Sequence, residues 1–243
     1  QQCLRLGREH LPVCLVSHLC FVGLERASPR IVFLPRGGPA PGVPGFTKVG
    51  VLRRLPVQTI MVPKADGQTC LQRVDDAFDN ARTLIPQIET VKSLFALPEI
   101  LSAPHVDRVA FGHLDFALDL GSSSDYEALA HVRSQIVLQS RLAGKPQPID
   151  SVTVDFRDLG QAAADARFSQ KLGFGGKLLI HPAQVEPVRE AFLPSAEDID
   201  WAHEVLRVLE EDQRGAVAYQ GQMIDYPLEL RARRILAQIE KAS

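Results

Sequence analysis

From about residue 51 onward, short apolar runs alternate with longer amphipathic stretches, and this alternation restricts the folds open to the chain. The apolar runs have the length of strands and each is followed by helical spacing; they begin at Val57, Leu84, Val106, Ser151 and Lys177. Strands this apolar need cover on both faces, which parallel strands receive from the helices that connect them. The pattern therefore predicts an α/β protein with a parallel sheet.

An open doubly wound sheet and a closed (β/α)8 barrel both fit this alternation. Polar residues stand at or just after the ends of several predicted strands, namely Lys64, Glu89, Asp115, Asp155 and His181. A barrel gathers such side chains at one mouth, whereas an open sheet usually carries a glycine-rich turn, and no GxGxxG follows these strands. The sequence therefore favours a (β/α)8 TIM barrel in residues 49–193, with a C-terminal helical extension and lid in residues 194–243.

The first 48 residues do not fit this pattern. A barrel needs three βα units before the strand at Val57, and each takes roughly 30 residues or more. Residues 36–46 are rich in proline and glycine and have no helical spacing. We therefore expect an atypical N-terminal segment, in which the first strands of the barrel are incomplete or aberrant.

Composition excludes several classes of partner. The formal net charge is −2, so bulk electrostatics recruits neither nucleic acid nor an anionic membrane. Of the 4 cysteines, three lie in the first twenty residues and none forms a CxxC pair, which is typical of a reducing compartment. The apolar stretch 11–24 is shorter than the roughly 20 residues of a membrane span. We expect a soluble cytoplasmic protein, with the mitochondrial matrix as the alternative.

Two carboxylates stand at the ends of successive predicted strands. Glu89 ends the run that begins at Leu84, and Asp115 follows the next run. Parallel strands would place both side chains at the same mouth, where two carboxylates and several waters suit Mg²⁺. The alternative is that each carboxylate caps the helix after its strand, and the residues alone leave both interpretations open.

Five segments, in order, resemble the HpcH/HpaI aldolase and citrate lyase β family: IPQIET, VDRVAFGHLDFALDLG, VTVDFRD, GFGGKLLIHPAQV and GQMIDYPLELRARRIL. The resemblance covers residues 51–243 and points to the CoA-ester lyase branch, with citrate lyase β subunits, malyl-CoA lyases and citramalyl-CoA lyases. It implies a Mg²⁺-dependent barrel, usually a homotrimer. Such an enzyme cleaves a carbon–carbon bond of a 3-hydroxyacyl thioester on coenzyme A, giving an acetyl thioester and a 2-oxo acid.

The resemblance assigns roles to individual residues. The metal-binding glutamate of the family falls on Glu89, which also contacts substrate, and its metal-binding aspartate falls on Asp115. The segment with Leu178 and Leu179 is similar to one that lies along the CoA arm, so these two residues are candidate substrate contacts.

Asp225, in GQMIDYP, falls on an aspartate that acts as acid and base in the citramalyl-CoA lyases. In that family it reaches the site from the C-terminal extension of a neighbouring subunit. Its alternative role is that of an N-cap, because Pro227 is suited to open the last helix. Both roles are compatible.

The N-terminal motifs of the family are absent, and this puts its substrate-binding arginine in question. In the family, this arginine precedes the Pro-Lys of the fourth strand by a spacing close to that between Arg36 and Lys64. Arg36 is therefore the candidate for the substrate-binding arginine, but Gly37 and Gly38 replace the expected Ile-Asn. Two alternative hypotheses for the function of the chain follow from this. The chain is an active CoA-ester lyase or a thioesterase with the same site, or it is a truncated non-catalytic homologue or a subunit of a larger acyl-carrier-dependent citrate lyase complex.

We predict structural roles for the remaining polar residues near the mouth of the sheet. Lys64 and Asp155 are expected only to line the mouth, and His113 and His181 to serve as hydrogen-bonded structural residues. Asp119 is expected to pack beside or cap a helix.

Overall fold

The computed structural model describes residues 20–23, 31–33, 58–79, 82–211, 217–219 and 222–242. The strands are β1 Cys20–Gly23, β2 Ile31–Phe33, β3 Thr59–Val62, β4 Thr83–Ile88, β5 Ala110–Phe111, β6 Ile149–Asp150, β7 Gly176–Leu179, β8 Val217–Tyr219 and β9 Gln222–Ile224. The helices are α1 Gln68–Ala77, α2 Val91–Phe95, α3 Leu97–Ser102, α4 His113–Leu120, α5 Ala130–Leu142, α6 Leu159–Leu172, α7 Val185–Phe192, α8 Ala196–Glu211 and α9 Tyr226–Ala242.

Strands β1 to β7 form one sheet in the order β1-β7-β6-β5-β4-β3-β2. All neighbours from β2 to β7 are parallel, whereas β1 runs antiparallel to β7. The described part of the sheet is therefore a half-barrel of parallel strands, with β1 and β2 at its two edges. The predicted α/β class is confirmed.

Alternate residues of the parallel strands pack on opposite faces of the sheet, as the pleat requires. One face carries a cluster with one residue from each of five consecutive strands: Met61, Ile85, Ala110, Ile149 and Leu178. The other face, with Ile60 and Ile88, packs against the connecting helices in the largest buried cluster. Burying one such side chain contributes about 1.5–3 kcal/mol, so both faces of the sheet contribute to stability.

The predicted strand at residues 151–156 is misplaced, because β6 ends at Asp150. After β6 the main chain is bound by side chains instead of a neighbouring strand. The Ser151 carbonyl accepts from Nζ of Lys177 at 2.6 Å, and the Thr153 carbonyl accepts from Nε2 of Gln184 at 3.1 Å. These bonds satisfy carbonyl groups that would otherwise require a strand partner.

Two long helices follow the sheet, as the sequence predicts. Helix α8 begins with a reciprocal cap in which Ser195 and Asp198 bind each other's main-chain N–H groups. It packs against α9 through an apolar cluster that includes Val205 and Ala232. The antiparallel hairpin β8–β9 lies between them in the chain. Within the described residues no helix is long and apolar enough to cross a membrane.

Candidate metal and substrate site

Glu89 lies directly after β4 with its side chain buried, at 3% exposure. The following helix α2 is capped by Thr90, whose hydroxyl accepts from the main-chain N–H of Ser93. The alternative role of Glu89 as the cap of this helix is therefore wrong. Its carboxylate is left for another partner.

Gly112 shapes the space that Glu89 occupies. A Cβ atom at Gly112 would lie 2.5 Å from Cγ of Glu89 and 2.8 Å from Oε1, closer than real Cβ contacts come. The main-chain N–H of Gly112 also donates to the Ile88 carbonyl, which ties the end of β5 to the end of β4. Only a residue without a side chain permits the observed position of the Glu89 carboxylate.

Asp115 lies in the first turn of α4, the helix that follows β5. Main-chain N–H groups without helical partners and the helix dipole favour a carboxylate at this end of a helix. The Asp115 side chain is 17% exposed, so it can be reached from solvent.

Lys64 connects the two carboxylates. Its main-chain N–H donates to Oε2 of Glu89 at 2.8 Å, and its ammonium Nζ lies 3.2 Å from Oδ1 of Asp115. Residues at the ends of β3, β4 and β5 are thus brought together, as expected for the mouth of a parallel sheet. The sequence assigned Lys64 no role beyond lining this mouth. Its position at the end of the strand next to β4 was the signal that could have linked it to Glu89.

The donor set fits Mg²⁺. Mg²⁺ keeps several waters and binds proteins through one or two carboxylates, which Glu89 and Asp115 supply. The residues that the structure describes contain no group of three or more His, Cys, Asp or Glu side chains able to hold a metal. A closed zinc cage of four protein ligands therefore has no counterpart among them. The ammonium of Lys64 places a positive charge against Asp115, so this carboxylate faces a cationic side chain.

The other predicted site residues have different surroundings. The side chains of Leu178 and Leu179 are buried, at 1% and 0% exposure, in apolar clusters on the two faces of the sheet. Any contact that they make with a ligand must therefore come from their main-chain atoms. Arg36 lies outside the described residues.

Asp225 is exposed and precedes α9. Its Oδ1 accepts from the main-chain N–H of Leu228 at 3.3 Å, and its carbonyl accepts from Leu228 and Glu229. The predicted capping role of Asp225 is confirmed, and its role as acid and base stays a prediction. Asp119 likewise binds the first N–H of α2, at Val91, from its Oδ2 at 2.8 Å.

A buried polar network lies behind the mouth, around β6 and β7. Asp150 accepts from Nε of Arg133 at 3.1 Å and from the Ser169 hydroxyl, and all three side chains are buried. Nζ of Lys177 donates to the Tyr126 hydroxyl at 2.7 Å. Burial raises the pKa of Asp150, but Lys177 and Arg133 outweigh it and hold this pKa below its usual value. Burial lowers the pKa of Lys177 to about 8.

His113 connects this network to the mouth. Its Nδ1 is hydrogen-bonded to the Ser151 hydroxyl, which also accepts from the His113 main-chain N–H at 3.1 Å. Burial, with smaller contributions from Arg133 and Lys177, lowers the pKa of His113 to about 4, so the ring is neutral at pH 7. His113 thus has the structural surroundings that the sequence predicted.

A cavity of about 550 Å³ opens beside His113, a volume in the range of small-molecule sites. Its wall consists of the segments 124–126 and 152–155 and one face of α6, and Asp155 lies on its rim.

His181 is exposed, stacks on the ring of Phe156 at 4.9 Å and binds the Ala183 N–H. It therefore serves as a structural cap.

A half-barrel of parallel strands with carboxylates gathered at the carboxyl ends of neighbouring strands defines an α/β protein whose site lies at the strand ends. The chain belongs to the HpcH/HpaI aldolase/citrate lyase family, whose model matches residues 44–182. The resemblance seen in the sequence is thereby confirmed.

Proteins with similar sequences agree with this family assignment. A mitochondrial citramalyl-CoA lyase of Rattus norvegicus is 34% identical over 73% of this chain and 59% of its own length. A citrate lyase subunit beta-like protein of Mycobacterium tuberculosis is 32% identical over 76% of this chain and 68% of its own length. The chain thus spans about three fifths of the length of the citramalyl-CoA lyase.

Solved structures share the fold. The protein CitE of Mycobacterium tuberculosis, crystallised with magnesium, acetoacetate and coenzyme A, superposes with a TM-score of 0.76. It is 29% identical, and the match covers 86% of this chain and 78% of that one. A member of the same fold thus binds magnesium together with a small oxo acid and CoA.

Proposed function

We propose that this chain catalyses the Mg²⁺-dependent cleavage of a 3-hydroxyacyl thioester of the citryl-, citramalyl- or malyl-CoA type. The products are an acetyl thioester and a 2-oxo acid. The observation that carries the proposal is the convergence of Glu89 and Asp115 on Lys64 at the ends of β3, β4 and β5. The names of the relatives and the magnesium, acetoacetate and CoA of the related structure support it.

Glu89 and Asp115 are the residues that would hold Mg²⁺. When bound, the metal supplies Lewis acidity that withdraws charge from the oxygens of the hydroxy acid. The Glu89 carboxylate is buried and fixed by a main-chain N–H, so its position is set before substrate arrives. Such preorganisation is the contribution that a protein makes to a metal site.

In this mechanism the substrate hydroxyl loses its proton, its carbon becomes a carbonyl, and the electrons of the broken carbon–carbon bond form a thioester enolate. Asp225 would take that proton and return one to the enolate carbon, reaching the site from a neighbouring subunit. The main chain at Leu178 and Leu179 would lie along the CoA arm, and Arg36 would bind the substrate carboxylate.

The larger architecture belongs to the same proposal. Residues 49–193 would form the main part of a closed (β/α)8 barrel, residues 1–48 an atypical N-terminal segment, and residues 194–243 the extension and lid. The protein would act as a homotrimer in the cytoplasm or in the mitochondrial matrix.

One observation favours the alternative function. Strand β1 lies antiparallel to β7, at an edge of the sheet where a (β/α)8 barrel would have a parallel neighbour. A chain with this N-terminal arrangement is compatible with a truncated non-catalytic homologue, or with a subunit that acts only in an acyl-carrier-dependent citrate lyase complex.

The test is an assay of the purified chain with citramalyl-CoA, malyl-CoA and citryl-CoA, in which the released 2-oxo acid is measured with Mg²⁺ and with EDTA. We expect Mg²⁺-dependent release from at least one thioester. Glu89→Gln, which keeps the side-chain shape, should lower the rate by at least about a hundredfold, whereas Glu99→Gln, at an exposed position of α3, should not. If the folded chain cleaves none of the three thioesters, the proposed lyase activity is contradicted and the non-catalytic or complex-bound alternative is favoured.

A further inference from the structure

Lys64 contacts both carboxylates of the site through different groups. Its main-chain N–H is bonded to Glu89 and its ammonium to Asp115. The Lys64 backbone has a φ of 48°, in the left-handed region that residues with a side chain rarely adopt. Such a conformation costs on the order of 1 kcal/mol or more and tends to occur at functional sites.

The charges explain why a lysine at this position matters. Glu89 is buried and Asp115 is mostly buried, and two neighbouring carboxylates out of water repel each other. The Lys64 ammonium reduces this repulsion in the metal-free protein. A divalent cation bound by the same carboxylates would stand close to the ammonium, so the two cations compete for Asp115.

We propose that Lys64 is a built-in counter-cation for the metal site. Its ammonium neutralises Asp115 in the metal-free protein, leaves Asp115 when a divalent cation binds, and then contacts the anionic part of a metal-bound oxo or hydroxy acid. The exchange of cations concerns the chain by itself, and the contact with the acid rests on the proposed function.

The side chain of Lys64 has the freedom that this exchange requires. It is 43% exposed, and its flexible four-carbon stem can move the ammonium without moving the backbone. The main-chain N–H stays in place during such a movement, so Glu89 keeps its hydrogen bond. The metal-free and metal-bound states would differ mainly in the position of one ammonium group.

The test compares Lys64→Met and Lys64→Gly with the wild type in Mn²⁺ titrations followed by electron paramagnetic resonance of free Mn²⁺. Both variants lose the ammonium and keep the N–H group, and the glycine also removes the strain of the positive φ. Lys92→Met is the matched control, because Lys92 pairs with Asp66 at 2.8 Å on the surface, outside the carboxylate pair.

Both Lys64 variants should bind Mn²⁺ about two- to fivefold more tightly than the wild type, the size expected for loss of a partly exposed ion pair. Oxalate, a chelating dianion, should bind to the Mn²⁺-loaded variants at least about fivefold more weakly, because a charge-assisted contact is lost. Lys92→Met should change neither value.

Unchanged or weaker Mn²⁺ binding in both folded variants would overturn the cation exchange. Tighter Mn²⁺ binding with unchanged oxalate affinity would overturn only the contact with the acid. A wild-type chain that binds no Mn²⁺ would overturn this inference together with the metal site. A chain that shows the expected shifts but cleaves no thioester would leave the inference standing and remove the proposed lyase activity.

Discussion

At the scale of single residues, the candidate site depends on one close approach between neighbouring strands. Gly112 directly follows β5 and lies beside the carboxylate of Glu89, with no room for a Cβ atom between them. Glu89 is buried and bonded to the Lys64 N–H, so it cannot withdraw without losing that bond. The position of the Glu89 carboxylate therefore depends on the absence of a side chain at Gly112.

We expect Gly112→Ala to lower the affinity for Mn²⁺ at least about tenfold, because metal ligands tolerate displacements of only about 0.5 Å. The added methyl group should also cost about 1–3 kcal/mol in the free energy of unfolding. Metal titration and urea denaturation measure the two effects. Gly160→Ala is the control, since its Cβ would meet only an Asp158 oxygen at 3.4 Å. Wild-type Mn²⁺ affinity in Gly112→Ala would show that Glu89 is not a ligand.

Among the secondary-structure elements, α5, α6, β6 and β7 are joined by buried charged side chains. Arg133 binds Asp150 through Nε, and its guanidinium carbon lies 3.9 Å from the centre of the Tyr126 ring. Lys177, from β7, adds a second buried cation beside Asp150. Breaking one partner of such a group leaves an uncompensated buried charge, which is more costly than the loss of a surface ion pair.

Asp150→Asn should therefore lower the free energy of unfolding by about 3–5 kcal/mol, because two buried cations lose their shared anion. Urea denaturation at pH 7 gives this value. Asp158→Asn should change stability by less than about 0.5 kcal/mol, because asparagine caps α6 as well as aspartate does. A loss below about 1 kcal/mol in Asp150→Asn would mean that the cluster does not hold these elements together.

The pH dependence of stability should reveal Lys177. Its pKa is about 8 in the folded chain, against a usual value of 10.5. Between these values the unfolded chain holds a proton that the folded chain has released, so a rise in pH favours the folded state. From pH 8 to 9.5, the free energy of unfolding should rise by roughly 1–2 kcal/mol in the wild type relative to Lys177→Met. Parallel curves for the two proteins would refute the assignment.

The sequence predicts most of the elements, because the alternation of apolar runs and helical spacing is a local property. It also predicts that Glu89 and Asp115 share a mouth, since both follow successive parallel strands. The strand at 151–156 could not be placed correctly, because the bonds from Lys177 and Gln184 are made by residues distant in the sequence. The position of Lys64 at a strand end indicates that it lies near Glu89, but no sequence pattern specifies its positive φ or its main-chain hydrogen bond to Glu89.

Across the whole molecule, the proposed metal ligands Glu89 and Asp115 are placed independently of the N-terminal segment. Lys64, Glu89, Gly112 and Asp115 all lie in one continuous part of the chain, at the ends of three adjacent parallel strands. Their arrangement does not require β1 to pair in the manner of a closed barrel. The proposed metal site therefore does not depend on whether the N-terminal segment supplies the proposed substrate-binding arginine.

Mg²⁺ should stabilise the whole chain. At a concentration one hundred times its Kd, a ligand that binds only the folded state adds about 2.7 kcal/mol. For a chain of 243 residues this corresponds to a rise in Tm of roughly 5–10 °C. Calorimetry should show the rise in the wild type and its absence when Glu89→Gln is combined with Asp115→Asn. An equal rise in both proteins would place the bound Mg²⁺ elsewhere.

Anomalous X-ray diffraction from crystals of the chain soaked in Mn²⁺ tests directly whether Glu89 and Asp115 form a metal site. We predict one strong anomalous peak at a bonding distance, about 2.0–2.2 Å, from a carboxylate oxygen of each residue. We also predict that the Lys64 ammonium will have moved away from Asp115. An anomalous peak at another place, or none in a crystal that keeps its order in Mn²⁺, would show that these two carboxylates do not form the metal site.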